Sequence, residues 1–546
     1  MKYMKTIFKL TLVLMVVVFA SCRDLTKLNV DPNTISQITV DPNYVMTTAI
    51  VNTVRPYQDD NYNGDYAGVM SYVQKSGWGS GLQYFNWVDP HAWGGNYGTL
   101  RDIYLLRDRA IASKSDFHLG VALIMKSFTF AQITSLWGDA PYSEAGLGAL
   151  NTKPKFDKQE DIFKGVIADL KTANTLLSKP AASYSNINPS ADVIYAGNPA
   201  KWQKLANSLM LRYYMRLSVK SPAVAKAGIE EIMANPSTYP IFSSTADDAL
   251  MAYPGLSSAD SWDTAIAWDG TPAQGNYTRL QLCAYFRDVL VGVNDPRLPV
   301  WFKPVASKVT VASIPPNGAT TYQIYTPSNW ISATPTASTN VVLVDTATYV
   351  GIPLAIAKNE PFTYNLNPSP VQGGANIHVS ALTDMFKANS NALLNARAIT
   401  YAEVCFILAE AAQRGYSAGG TQQSWYNSGI QASLTTWGVG SSYATYITQT
   451  GVAYDGTLSQ LMTQKYISGF LSASETWFDW RRTGLPVIPI GNAGYKNTLP
   501  LRLKYDLTEI NINGTNAATA ISALVPTANT GQTGNDDSWS KMWLLQ

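Results

Sequence analysis

The sequence predicts a mainly α-helical fold with a loop-rich, partly β insertion in its second half. Three observations predict it. Apolar residues recur with a helical period of 3.6 through much of residues 44–235. Composition then shifts over about 236–394 to Thr, Ser, Pro, Asn and Gly, with short β-branched runs such as Val341, Val342, Leu343 and Val344. The helical period returns over about 395–480.

At the start of the chain, Lys2, Lys5 and Lys9 lead into a ten-residue, almost wholly apolar run from Leu10 to Phe19, and Ala20-Ser21 then precede Cys22. Spanning a bilayer takes about 20 apolar residues, so residues 1–21 read as a secretory signal peptide. Small residues directly before a cysteine suit lipoprotein processing, which makes Cys22 the expected lipid anchor to a membrane. Residues 22–43 form a tether in which Asp-Pro-Asn occurs twice, at Asp31 and at Asp41, each read as a turn or helix start. Residues 44–546 are read as a single domain.

Helix signals follow in order. Phe163, Val166, Ile167, Leu170, Ala173 and Leu177 share one face, with Asp157 and Glu160 placed as an N-cap and its partner three positions on. Trp202, Leu205, Ala206, Leu209, Tyr213 and Leu217 repeat the pattern behind Asn198-Pro199, a cap followed by proline at the first helical position. Ala398, Tyr401, Ala402, Cys405, Leu408, Ala409 and Ala412 line a third face that ends at Gly415, and a further helix is expected over about Leu458–Leu471. Paired helices rich in small residues suggest helix-turn-helix repeats, although no strict 34-residue period is visible.

Charge excludes some functions. Removing the signal lowers the basic count from 40 to 37 against 38 acidic residues, so nothing recruits nucleic acid. Cys283 and Cys405 are expected as buried thiols. With 31 Tyr, 15 Trp and 16 Phe beside only 14% charged residues, the composition suits sugar binding, because flat rings stack on the C–H faces of pyranoses while amides and carboxylates bond the hydroxyls. Aromatics at helical spacing are core residues on the same reading.

The motifs in their order resemble the SusD/RagB nutrient-binding outer-membrane lipoproteins. The resemblance rests on Leu28-Asn29-Val30-Asp31-Pro32-Asn33, on Leu136-Trp137-Gly138-Asp139-Ala140-Pro141-Tyr142-Ser143-Glu144-Ala145, and on Asp192-Val193-Ile194-Tyr195 followed by Trp202, Arg212 and Arg216. It continues with Tyr401-Ala402-Glu403-Val404, Leu408-Ala409-Glu410-Ala411-Ala412, Gln464-Lys465-Tyr466, Glu475-Thr476-Trp477-Phe478-Asp479-Trp480-Arg481-Arg482-Thr483-Gly484, Pro500-Leu501-Arg502, Glu509, Asn511 and Trp543. It implies a scaffold of tetratricopeptide-like helix pairs, an oligosaccharide or peptide ligand, and a SusC-like TonB-dependent transporter as partner. Chemistry, cofactors and nucleic acid are not expected. The rivals are a surface lipoprotein glycosidase, a peptide-binding member of the same family, and an interaction lipoprotein whose aromatic loops touch only the transporter.

Glu475 and Asp479 lie one helical turn apart near Arg481 and Arg482, and a structural charge network that clamps Gly484-Leu485-Pro486 explains them as well as an acid/base pair does. Asp139 and Glu144 are expected to accept backbone N–H groups in a helix-exit turn. His91, His118 and His378 are far apart and read as surface or loop residues, so no metal site is expected. Asp59, Asn61 and Asn63 before Gly64 resemble half of a calcium loop, but Met70 stands where its bidentate glutamate belongs, so a turn is the preferred reading.

Two aromatic clusters are the candidate ligand contacts. Trp78, Tyr84, Trp87, Trp93 and Asn96 fall in a stretch broken by Gly77, Gly79, Gly81, Gly94 and Gly95, a density that argues for a loop facing a groove. Trp262, Trp268 and Tyr277 form the second cluster, inside the insertion.

Overall fold

Apolar stripes at helical spacing can be buried only by stacking helix on helix, and the chain does this in sequence order. A computed structural model describes residues 40–62, 64–75, 87, 91–257, 260–262, 279–309, 321–326, 329–333, 341–356, 364–368, 376–491, 494–531 and 534–546. Cys22 and the signal segment lie outside the described residues.

The first half holds α1 (Pro42–Tyr62), α2 (Asp65–Val69), β1 (Val73–Lys75), α3 (Gly94–Ala112), α4 (Asp116–Trp137), α5 (Gln159–Leu177), α6 (Pro199–Arg216) and α7 (Pro222–Ala234). From α3 to α7 each helix packs on the next, and α1 lies across α3 and α4. Helix α4 is long and apolar enough to cross a membrane, yet 83% of its apolar window is buried inside the protein, so it is the central core helix. Gly120 permits the close approach of α4 to α5, since a Cβ there would stand 2.7 Å from Leu177.

The expected faces of α5 and α6 are buried, and Asn198 caps α6 by accepting from the N–H groups of Ala200 and Lys201. The cap of α5 differs from expectation. Asp157 lies outside the helix and its carboxylate accepts from the N–H of Tyr142 at 3.1 Å and of Ser143 at 2.7 Å, while Asp139 reaches over to accept from Gln159 N–H at 2.8 Å. A carboxylate brought from the preceding turn thus caps the helix in place of the local one. Glu144 accepts from Lys155 N–H at 3.0 Å, in the role the sequence suggests for it.

The middle of the chain contributes β2 (Ala249–Met251), β3 (Leu280–Leu282), α8 (Ala284–Gly292), α9 (Leu298–Trp301), β4 (Thr321–Thr326), β5 (Asn329–Ala333), β6 (Val341–Val344) and β7 (Ala396–Ile399). β1 pairs with β3 and β2 with β7, both antiparallel, so short ladders fasten the insertion to the helical body. β4 pairs antiparallel with β5 and parallel with β6, the β-branched run anticipated from sequence.

Helices resume with α10 (Tyr401–Gln413), α11 (Gln422–Thr436), α12 (Tyr443–Tyr446), α13 (Leu458–Ser468), α14 (Ala473–Thr483), α15 (Leu507–Ile512) and α16 (Gly514–Ser522). Gly415, at φ +78°, follows the end of α10, where Tyr416 N–H closes back onto Ala411 O at 2.9 Å. Cys283 and Cys405 are buried free thiols.

His118 departs from the reading of a surface histidine. Its ring is fully buried in α4, with Nδ1 2.7 Å from Ser115 Oγ and Nε2 3.0 Å from Asn43 Oδ1, and it anchors the start of α1. Burial lowers its pKa from 6.5 to about 4, against the opposing pull of Asp41. The folded value lies below the unfolded one, so the contribution is complete above pH 6.5 and is lost as pH falls toward about 4. Unfolding titrations should show stability falling over that window, with His118→Asn flattening the profile by up to about 3 kcal/mol.

Candidate functional site

A cavity of about 310 Å³ opens between α1, α3 and α4, within the size range of small-molecule sites. Thr53, Tyr57 and Asn61 follow one another at intervals of four on α1 and therefore share a face, joined on the rim by Asn52 and Asp60. Helix α3 supplies Gly95, Asn96 and Thr99, and α4 supplies Phe128, Thr129, Gln132 and Trp137. Tyr66, His91 and Ser474 complete the wall.

Proline inside α1 shapes one side. Pro56 has no N–H to offer Asn52 O, and Thr99 Oγ1 of α3 donates to that carbonyl at 3.1 Å instead. Asn52 Nδ2 also donates to Asp102 Oδ2 at 2.9 Å, a second tie between the two helices.

The floor rests on Glu475. Its Oε1 accepts from Gln132 Nε2 at 2.9 Å and Tyr57 Oη at 3.4 Å, while Oε2 is paired with Arg216 and Arg212 Nη1 lies 3.7 Å from the carboxylate. Arg212 binds Glu403 in turn, with contacts of 2.6 and 2.7 Å. Asp479 pairs with Lys465 at 2.6 Å and with Arg482 at 2.7 Å, and Arg482 reaches on to Glu410. Burial pushes the Asp479 carboxyl up, but Lys465 and Arg482 outweigh it and hold it down at about 2. Glu475 and Asp479 therefore belong to a buried ion network joining α6, α10, α13 and α14. The void beside this network measures about 30 Å³, which suits water and not a sugar ring.

Asp60 is different. It lines the cavity with its surface open to it, and burial by surrounding protein, followed by the nearby charge of Asp65, pushes its pKa up to about 6. Residues 59–62 form the last turn of α1, and Asn63, the third residue of the half calcium loop, lies outside the described residues. Among the described residues, no cluster of three or more metal-ligating side chains occurs.

Asn96 lies where a ligand residue is expected, half-buried on the cavity wall. The tryptophans near it do not. Trp93 is 3% exposed and packs edge-on against Trp137, Tyr97 and Tyr505; Trp87 is 2% exposed and packs against Trp477. Trp262 is 2% exposed and meets Tyr62 and Tyr253. These three rings stack on protein and leave no face for a sugar, so they are packing residues that support the site from behind. The glycine-rich stretch is also partly helical, since Gly94 and Gly95 open α3. Trp78, Tyr84, Trp268 and Tyr277 lie outside the described residues. His91 lines the cavity, and His378 is buried in the insertion instead of lying on the surface.

Sequence reasoning missed Asn52, Thr53, Tyr57, Asp60 and Gln132. The available signal was the polar series Thr53, Tyr57, Asn61 at intervals of four, in a helix otherwise facing a core.

The chain matches a family model described as "Starch-binding associating with outer membrane" over residues 32–506. It is similar in fold to a SusD homologue of Bacteroides fragilis, at 21% identity and a TM-score of 0.69, covering 93% of this chain and 100% of that one. A SusD homologue of Bacteroides uniformis matches at 20% identity and a TM-score of 0.68, covering 92% and 99%. A chitin-binding SusD homologue of Flavobacterium johnsoniae matches at 21% identity and a TM-score of 0.68, covering 92% and 98%. No curated protein matches significantly. This chain belongs to the SusD-like family.

Trp93→Ala should behave as a core truncation, lowering folding stability by about 3–5 kcal/mol in denaturant titrations, as should Trp477→Ala, whose ring is fully buried.

Proposed function

We propose that this protein captures an oligosaccharide nutrient in the cavity between α1, α3 and α4 and passes it unchanged to a TonB-dependent outer-membrane transporter, held at the membrane by a lipid on Cys22. The observation that carries the reading is the cavity itself: about 310 Å³, walled by aromatic and amide side chains, in a chain of a family described as starch-binding and outer-membrane associated.

Hydrolysis fits the site poorly. Glycosidases place two carboxyls about 5–9.5 Å apart across the scissile bond. Among the described lining residues Asp60 is the one carboxylate, while Glu475 lies behind the floor, bound to two arginines. The raised pKa of Asp60 suits a general acid, but among the described lining residues there is no second carboxylate to act as nucleophile or base.

The test is a titration screen over glycans and peptides, followed by chromatography of the ligand after long incubation. A glycan should bind and be recovered intact, and steady release of product would favour the glycosidase. Gly95→Phe tests the site, because Gly95 lines the cavity and a Cβ there meets nothing within 4 Å, so a bulky ring can be added at the wall without backbone strain. It should weaken binding at least about tenfold while leaving the melting temperature unchanged. Undiminished affinity in this variant would place the ligand elsewhere. Cys22→Ala should release the chain from membranes on fractionation, and retention with unchanged mass would refute the lipid anchor.

A further inference from the structure

Four hydroxyls of the cavity wall donate inward, toward the protein. Thr53 Oγ1 donates to Ala49 O at 2.7 Å, Thr129 Oγ1 to Met125 O at 3.0 Å, and Thr99 Oγ1 to Asn52 O at 3.1 Å. Tyr57 Oη donates to Glu475 Oε1 at 3.4 Å. A hydroxyl has a single proton, so these four groups can meet a ligand only as acceptors. One N–H of the Asn61 amide is given to Tyr57 O at 2.7 Å, and its Oδ1 accepts from Ser474 N–H at 2.5 Å.

Gln132 is oriented by the same logic. Its Nε2 points to Glu475 at 2.9 Å, and because Glu475 is fixed by Arg216 and Arg212 the amide is not free to flip. To these acceptors the cavity adds the carboxylate of Asp60, and among the described lining residues there is no lysine or arginine. The Asn96 amide retains donors but carries no charge. His91 is the lining group able to become cationic, and its charge acts on Asp65, opposing the burial that raises that carboxyl.

We propose that Asp60 is a specificity-determining residue that, with this acceptor-rich wall, makes the cavity take sugar units presenting hydroxyl, acetamido N–H or ammonium groups and exclude units bearing carboxylates. The proposal rests on the glycan-binding reading above. It deepens that reading, since a neutral polymer, an amino-sugar polymer and a uronate polymer share ring shape and differ in the charge they bring to Asp60. A carboxylate ligand finds no lysine or arginine among the described lining residues and meets the like charge of Asp60, which repels it.

Titration calorimetry with tetramers of glucose, glucosamine and glucuronate, in both α-1,4 and β-1,4 linkage, tests it on the wild type and on Asp60→Asn. The wild type should bind its best glucose or glucosamine tetramer at least about tenfold more tightly than the matched glucuronate, and Asp60→Asn should shrink that ratio below about threefold. Asp60 ionises near pH 6, with Asp65 the charged group facing it, so the wild-type ratio should be smaller at about pH 5 than at about pH 7.5. Thermal melts confirm that the variant is folded. Equal wild-type affinity for the glucuronate tetramer, or a ratio unchanged in Asp60→Asn, overturns the role of Asp60 and leaves glycan binding intact. Failure of every tetramer to bind the wild type overturns the glycan-binding reading and this inference together.

Discussion

Glu475 is the group on which the rest of the structure leans. Its carboxylate, 7% exposed as a residue, binds Arg216 and Arg212 from α6, Gln132 from α4 and Tyr57 from α1. A buried charge costs several kcal/mol unless it is both paired and hydrogen-bonded, so this geometry holds only when all four helices, α14 included, are in place together. Arg216 adds a bond to Ser135 of α4 at 2.8 Å, and Arg212 carries the chain of contacts to Glu403 of α10. The two halves of the sequence, separated by the loop-rich insertion, are thus joined at one ionic centre. The floor of the cavity is the outer surface of that centre.

This explains why the same short segment is both a scaffold element and a determinant of the site without touching a ligand. Glu475 sets the orientation of Gln132 and the direction of the Tyr57 hydroxyl, and through them the atoms presented to the cavity. Asp479, four residues later, serves another purpose, linking Lys465 of α13 to Arg482 and so to Glu410 of α10. The two carboxylates look like a pair in sequence and belong to different branches of one network.

The helical framework was legible because its signal is local. The buried face of α5, the Asn198 cap of α6 and the glycine after α10 each follow from residues within one or two turns of each other. The role of the tryptophans was not, because a ring that could stack on a sugar and a ring that stacks on Trp477 or Trp137 have the same sequence. Only the arrival of residues several hundred positions away decides between them. The cavity was hidden for the same reason, being assembled from α1, α3 and α4 with an orientation set by α14. Asn96 was singled out because it sits beside the glycine-rich stretch, whereas Asp60 falls in the run 59–64 that reads as a turn. His118 was misjudged because nothing local announces that Asn43, 75 positions earlier, will receive its ring nitrogen.

The two ties between α1 and α3 have a mechanical consequence. Because Pro56 leaves the Asn52 carbonyl without a helical donor, that oxygen is open to the Thr99 hydroxyl of the neighbouring helix. A missing N–H at one residue thus invites a cross-helix bond at another, on the rim of the cavity. Under the proposed reading, helices already tied at the rim leave a ligand less to spend on reshaping the protein, so that recognition turns on fit and polarity.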